Sequence, residues 1–234
     1  MAVPLRHELK FFITPGQYEV LSRTLRALLH TDPHGDENGR YHIRSLYFDT
    51  IDDDALSDKV NGTANRDKYR IRIYNFSDKV IRLECKSKYR DLISKRSVRI
   101  SRELAEQMIS ADPAGLETTS SGLVSDMFRE MRTRLLHPVV IVDYLREAYL
   151  HPAEEVRITF DMQLRTGLGS VDLFNPRLPT VPPFDREEII LEVKYNQVLP
   201  PDIANVLTFA LRDGAARSAI SKYVWCRRFE FKDF

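Results

Sequence analysis

The 234-residue sequence is short of the features that mark the commonest functional classes. Cysteine occurs only at Cys85 and Cys226; one pair could bridge, but two cysteines in a chain of this size read better as reduced thiols of a cytoplasmic protein. No apolar run approaches the roughly 20 residues that a transmembrane helix needs. The opening MAVPLRHELKFF lacks the long apolar stretch of a signal peptide. A formal net charge of +1 argues against wholesale binding to nucleic acid or membrane. There is no Gly-x-x-x-x-Gly-Lys phosphate loop, and Gly-Leu-Gly-Ser at 167–170 is not a dinucleotide fingerprint. No Gly-x-Ser-x-Gly elbow and no Cys–His pairing support acyl transfer. Of the six histidines, His30 and His34 are four apart, but Pro33 and Gly35 place them in a loop rather than on a metal-binding helix. Internal repeats, low-complexity tracts and linkers are absent, so the chain reads as one soluble domain over 1–234.

What is there is a succession of long strands with helices between them. Alternation predicts strands over 5–13, 41–50, 68–75, 79–88, 93–100, 139–150, 155–165 and 188–196. A helix over 15–29 opens on a Thr14-x-x-Gln17 capping box with Pro15 in its first turn. Its apolar stripe is Val20, Leu21, Leu25, Leu28 and Leu29. Further helices are expected within 52–62 and over 102–110, 121–136 and 202–214, before a last segment AISKYVWCRRF. Asp52, Asp53 and Asp54 suit the start of the 52–62 helix, where acids complement the macrodipole, better than they suit a metal. The fold class is α+β with an antiparallel sheet.

Side chains alternate across a strand, so each strand divides into two rows. In 68–74, Lys68, Arg70, Arg72 and Tyr74 oppose Tyr69, Ile71 and Ile73; in 79–88, Arg82, Glu84, Lys86 and Lys88 oppose Ile81, Leu83 and Cys85. Glu192 and Lys194 oppose Ile189, Leu191 and Val193, while Arg157, Thr159 and Asp161 oppose Ile158 and Phe160. The charged rows hold Lys10, Arg44, Arg70, Arg72, Arg82, Lys86, Lys88, Lys95, Arg99, Arg146, Arg157, Lys194 and Lys222, with only Glu8, Glu84, Asp161 and Glu192 against them. A solvated face mixes signs and carries Ser, Thr, Asn and Gln. This one is strongly cationic.

Helices with apolar stripes must cover the apolar side of the sheet, which leaves the charged side to face itself. A sheet of about eight strands can close into a barrel with room for side chains and one ligand. Cations lining such a lumen repel one another unless a polyanion fills it, and Arg and Lys complement phosphate oxygens. Tyr69, Tyr74 and Tyr89 among basic strands also suit single-stranded nucleic acid. Backbone tracking has no use for Glu84, Asp161 and Glu192, however. They fit better as ligands of Mg²⁺ or Mn²⁺, which take one or two carboxylates together with phosphate oxygens. Glu84 also reads as a counter-charge that holds its basic neighbours in place.

Eight stretches in order resemble the VTC domain, the polyphosphate polymerase domain of the vacuolar transporter chaperone family within the triphosphate tunnel metalloenzymes. They are RHELK at 6–10, SLYFDT at 45–50, KYRIRIY at 68–74, RLECKSK at 82–88, VDYLREAY at 142–149, VRITFD at 156–161, LEVKY at 191–195 and SKY at 221–223. The resemblance implies an antiparallel eight-stranded β-barrel, a tunnel with a charged lumen and helices packed outside. It implies that Lys10, Arg70, Arg72, Lys86, Lys95, Arg146, Arg157 and Lys222 bind the phosphate chain, with Tyr144 and Ser221 as polar neighbours and Glu192 as carboxylate for manganese or magnesium. Glu8, Glu84 and Asp161 are further metal candidates. Arg44, Lys88 and Lys194 are assigned to the wall on parity alone. The implied substrates are ATP and inorganic polyphosphate or triphosphate, and the implied activity is polyphosphate synthesis. Hydrolysis of triphosphate or nucleotide, and non-catalytic polyanion binding, stay open beside it. Arg6 stands where many triphosphate-hydrolysing relatives carry a first Glu, which favours the polymerase branch. The fungal relatives' phosphate-sensing domain and membrane helices are absent from this sequence, so coupling to transport would require a separate membrane partner.

Overall fold

The computed structural model describes residues 7–63, 65–89, 92–111, 122–152, 155–212, 215 and 220–231. They form nine strands and six helices, grouped into two compact units. Hydrogen-bonded pairing runs from β1 (His7–Ile13) through β9 (Ile189–Tyr195), β8 (Arg157–Thr166), β7 (His137–Leu150), β3 (Arg40–Asp49), β4 (Asn65–Tyr74) and β5 (Ser77–Tyr89) to β6 (Leu92–Ile100), with the two-residue β2 (His30–Thr31) added to β7. Every pair with a defined register is antiparallel. The expected eight strands are all present, with β2 as an unforeseen ninth. Among the described residues no pairing joins β6 to β1, so the path is open where a closed barrel was expected.

The first unit comprises residues 1–42, 144–164 and 184–221. It contains β1 (His7–Ile13), α1 (Pro15–Leu28), the later part of β7 (His137–Leu150), most of β8 (Arg157–Thr166), β9 (Ile189–Tyr195) and α5 (Pro201–Leu211). Helix α1 begins as its sequence dictates. Thr14 Oγ1 accepts from Gln17 N at 3.2 Å, and Gln17 Oε1 accepts from Thr14 N at 2.9 Å, so two orphan donors of the first turn are satisfied. Leu21 and Leu25 are buried with Leu29, but Val20 and Leu28 are exposed, because the covered stripe is narrower than the run of apolar residues. α1 and α5 pack together, and Leu21, Leu25, Ile203 and Leu207 share a core with Ile158, Phe160, Leu191 and Val193.

The second unit comprises residues 43–143, 165–183 and 222–234. It holds most of β3 (Arg40–Asp49), α2 (Asp54–Val60), β4 (Asn65–Tyr74), β5 (Ser77–Tyr89), β6 (Leu92–Ile100), α3 (Arg102–Ile109), α4 (Leu123–Thr133) and α6 (Lys222–Phe231). β4 and β5 join through Asn75 and Phe76 alone, both at positive φ (50° and 55°), the backbone of a tight hairpin turn. Phenylalanine is a poor residue for that region, and the Arg44 guanidinium lies 4.7 Å from its ring centroid. On the covered side, Ile71, Leu83 and Cys85 pack with Met108 of α3 and Met127, Phe128 and Met131 of α4. Truncating one such fully buried side chain to Ala costs about 2–5 kcal/mol, so the apolar row anchors the charged row behind it.

The Asp triplet stands at the start of α2 as expected, with Asp53 at the N-cap position and Asp54 in the first turn. The cap hydrogen bonds come from Asp49 in addition: Oδ1 accepts from Ala55 N at 2.8 Å and Oδ2 from Leu56 N at 3.1 Å. Asp53 takes a left-handed backbone and pairs with Arg227 of α6. The last segment is helical and begins at Lys222, so Lys222 belongs to no strand row. Parts of the expected spans at 5–6, 121 and 213–214 lie outside the described residues.

Candidate functional site

In the first unit the charged row is built on four strands. The register aligns Lys10 of β1 with Glu192 of β9 and Glu192 with Thr159 of β8. It likewise aligns Glu8 with Lys194 and Lys194 with Arg157. Opposite charges therefore meet between β1 and β9, the favourable arrangement for such pairs, while Lys194 and Arg157 meet as like charges between β9 and β8. Lys10 Nζ lies 2.7 Å from Glu8, and Lys194 Nζ lies 2.5 Å from Glu192. Arg146 of β7 grips Asp161 through two bonds of 2.6 and 2.8 Å, and its Nη2 lies 3.9 Å from Glu192. The same guanidinium stacks over Tyr144 at 5.4 Å. Burial works against charge on Lys10, but Glu192, Glu8 and Asp161 outweigh it and raise its pKa. The same contest leaves Arg146 raised well above its ordinary value, with Asp161 the largest favourable contributor. Arg157 is drawn aside: its Nη2 donates to Asp32 at 2.6 Å and to the Tyr41 hydroxyl at 2.8 Å.

In the second unit the row is almost purely cationic. Three rungs cross β4, β5 and β6: Arg72–Arg82–Arg99, Arg70–Glu84–Ser97 and Lys68–Lys86–Lys95. Arg66 and Lys88 face each other one step further along. Like charges directly opposite destabilise a sheet, and Glu84 offsets part of that. Its carboxylate, 2% exposed, receives Arg70 at 2.5 and 2.7 Å and Lys95 at 2.5 Å, with Arg72 at 3.7 Å. Burial alone would raise the Glu84 carboxyl; Arg70, Arg72 and Lys95 overcome it and hold it well below the ordinary range. Arg70 also donates to the Tyr47 hydroxyl at 2.8 Å, and Arg72 to Ser45 Oγ at 3.2 Å. Lys68 lies 4.6 Å from the Tyr223 ring centroid, and burial with Lys59, Lys86, Arg70 and Arg66 nearby lowers its pKa to about 7. Lys86 is exposed, and Lys88 half-buried.

Arg44 departs from its assigned place. It shares its row with Leu46 and Phe48, whose cross-strand neighbour Ile71 is core, whereas Ser45 and Tyr47 carry the row of Arg72 and Arg70. At 1% exposure, Arg44 binds Asp143 at 2.7 and 2.8 Å and the Asn175 carbonyl at 2.5 Å. The wall reading of Arg44 is therefore corrected: it is a buried structural ion pair on the helix-covered face.

The VTC domain family model matches residues 5–230. The chain belongs to the VTC-domain family. No curated protein matches the sequence. Among solved structures, this VTC domain is similar to HpAC1 from Hippeastrum, described as an adenylyl cyclase candidate with a dominant triphosphatase activity. Identity is 15%, 96% of each chain is covered and the TM-score is 0.59. It is similar also to an adenylate cyclase candidate from Bacillus halodurans, at 13% identity over 94% of this chain and 95% of that one, with a TM-score of 0.54. A third, from Vibrio parahaemolyticus, is 11% identical over 96% and 98%, with a TM-score of 0.52. At these identities the likeness is one of fold, and the VTC domain shares the fold of these proteins.

The carboxylates of the VTC domain suit one kind of metal site. Among the described residues no cluster of three or more His, Cys, Asp or Glu is placed to hold an ion. Glu8, Asp161 and Glu192 each already face a cation. That arrangement does not fit an ion held by protein alone. It fits a hard divalent ion that takes one carboxylate and completes its shell with phosphate oxygens and water.

The sequence-assigned residues thus fall into two sets, Glu8, Lys10, Tyr144, Arg146, Arg157, Asp161, Glu192 and Lys194 in one unit and Arg70, Arg72, Glu84, Lys86, Lys88 and Lys95 in the other. Ser221 and Lys222 stand at the entry to α6, while Arg6 lies outside the described residues. The contributions of Asp32, Tyr41, Ser45 and Tyr47 were missed. For Ser45 and Tyr47 the parity of SLYFDT carried the signal, since Leu46 and Phe48 mark the other row. Asp32 and Tyr41 reach Arg157 only through tertiary folding.

Proposed function

We propose that this VTC domain catalyses metal-dependent phosphoryl transfer from ATP to a growing polyphosphate chain. The observation that carries this reading is the rung of Lys10, Glu192 and Thr159, with Arg146 reaching toward the same carboxylate. It joins one metal-competent carboxylate to cations suited to phosphate oxygens. Phosphoryl transfer asks a protein for positioning and charge stabilisation rather than for a covalent nucleophile, and no such nucleophile is needed here. Glu192 would hold a manganese or magnesium ion, with Glu8 and Asp161 as the alternative carboxylates, and the ion would supply Lewis-acid neutralisation of phosphate charge.

Within the first unit, Arg146 and Arg157 are assigned to the reacting phosphates, with Lys10, Tyr144 and Lys194 beside them. Within the second, Arg70, Arg72, Lys86, Lys88 and Lys95 are assigned to holding the chain. Ser221 and Lys222, at the entry to α6, are assigned to phosphate contact. Glu84 is assigned to orienting Arg70 and Lys95. In the reaction a terminal phosphate oxygen of the chain forms a bond to the γ-phosphorus. The bond from that phosphorus to the β–γ bridging oxygen breaks, and ADP leaves with the electron pair. The guanidinium and ammonium groups stabilise the equatorial oxygens throughout.

A second reading is favoured by the likeness to HpAC1, which is described as having triphosphatase activity. Water then replaces the chain as acceptor at the same residues. Purified protein incubated with ATP and Mn²⁺, with products resolved by polyphosphate length, separates the two. ADP together with a polyphosphate ladder is expected; ADP with orthophosphate alone would establish the hydrolase instead.

A further inference from the structure

Thr159 is a side chain whose chemistry the fold leaves unused. It is 3% exposed, and among the described residues its hydroxyl has no hydrogen-bond partner. Buried polar groups are nearly always bonded, and each exception calls for a reason. Among the described residues two other buried side-chain atoms lack partners, His42 Nδ1 and Arg227 Nε. Arg227, however, bonds Asp53 through its Nη2, and His42 also makes an interaction. For Thr159 the single hydroxyl is the whole polar capacity of the side chain.

Its position is fixed by the register. Ile158 and Phe160 are in the core of the first unit, so Thr159 faces the other side with Arg157 and Asp161. Its cross-strand partner is Glu192, whose own partner on β1 is Lys10. Glu192 Oε1 accepts from Lys194, and the Arg146 guanidinium is committed to Asp161. The hydroxyl is therefore a neutral donor set among charged groups already engaged. Valine would give the strand the same branched shape with no orphaned group. A desolvated donor beside a carboxylate and two cations is suited to one thing the row otherwise lacks, a directional bond to an anionic oxygen.

We propose that the Thr159 hydroxyl donates a hydrogen bond to a phosphate oxygen of the bound triphosphate or polyphosphate, on the rung it shares with Lys10 and Glu192. This rests on the phosphate-binding reading above. It makes Thr159 a substrate-binding residue that orients the chain, while the cations supply most of the attraction.

The test measures the affinity of wild type, Thr159→Val and Thr159→Ser for inorganic tripolyphosphate by calorimetry, with thermal unfolding of each protein without ligand. Removing an unpartnered hydroxyl leaves no other group unsatisfied, so the ligand-free Thr159→Val protein should melt at or above the wild-type temperature. Its dissociation constant should rise by about tenfold or more, the scale of a hydrogen bond to a charged group. Thr159→Ser, which keeps the hydroxyl, should stay within about twofold of wild type. Unchanged affinity in Thr159→Val overturns the proposal. So does a lowered melting temperature with unchanged affinity, which would assign the hydroxyl to a buried water of the fold. If wild type itself binds no tripolyphosphate, the phosphate-binding reading fails first, an outcome distinct from both.

Discussion

The two charged rows differ in how they are neutralised. In the first unit, Lys10, Arg146, Arg157 and Lys194 stand among Glu8, Asp161 and Glu192, and each carboxylate faces a cation. In the second, three consecutive rungs present seven cations to the single carboxylate of Glu84. A nearly balanced row can organise a metal and a reacting phosphate without repelling itself. A row with one counter-charge is completed by an external polyanion. The difference suggests a division of labour, with chemistry assigned to the first row and chain holding to the second.

The largest expected effect comes from unsettling the balanced row. Glu192→Gln removes the assigned metal carboxylate and should lower turnover by on the order of 10²–10³-fold, since Lewis-acid stabilisation amounts to several kcal/mol. Initial rates of ADP release across a manganese titration check this; turnover within a few-fold of wild type would remove Glu192 from the chemistry.

The next effect falls on stability. Glu84→Gln leaves Arg70, Arg72 and Lys95 facing one another and should cost about 3 kcal/mol in denaturant unfolding, the scale of breaking a buried pair. Because the folded pKa of Glu84 lies below its unfolded value, its contribution is present above the ordinary carboxylate range and is lost as pH falls below it. The variant should therefore show a shallower acid-induced loss of stability than wild type. Equal slopes would mean that Glu84 does not hold the row together.

Much of this was legible in the sequence, and the reasons are specific. Strict alternation in KYRIRIY and VIRLECKSK separated core from charged row correctly, because a one-residue slip would send Ile71 and Leu83 into the charged row. The capping box at Thr14 likewise needs only local geometry. Arg44 departs from its parity assignment because Ser45 and Tyr47, not Arg44, share the row of Arg72 and Arg70 across β3 and β4, a register that only the folded pairing supplies. The roles of Asp49, which caps α2 and accepts from Tyr223, and of Asp32, which holds Arg157, were not legible. The Tyr223 and Arg157 contacts join residues far apart in the chain, and the Asp49 cap crosses an intervening turn that the helix pattern does not mark. Lys222 was grouped with the strands because nothing in AISKYVWCRRF marks a helix start strongly.

Smaller effects sharpen the view of the cationic row. Lys86→Ala, an exposed position in register with Lys68 and Lys95, should weaken tripolyphosphate binding by about tenfold at low salt and flatten its salt dependence. Binding that is unchanged across a salt series would contradict the chain-holding role. Lys68, lowered to about 7, provides a pH signature. Between about 7 and its ordinary value of 10.5 the folded protein has released a proton that the unfolded chain keeps, so the Lys68 contribution to stability rises with pH there. Polyanion affinity should run the other way, falling a few-fold as pH rises through 7, with proton uptake on binding visible in buffers of different ionisation enthalpy. Lys68→Met should abolish both trends.

The most direct measurement compares Glu192→Gln and Lys86→Ala side by side, recording kcat and the dissociation constant for tripolyphosphate on the same preparations. The division of labour predicts that Glu192→Gln loses kcat and keeps its affinity, while Lys86→Ala loses affinity and keeps most of its kcat. Equal losses of both quantities in both variants would contradict it.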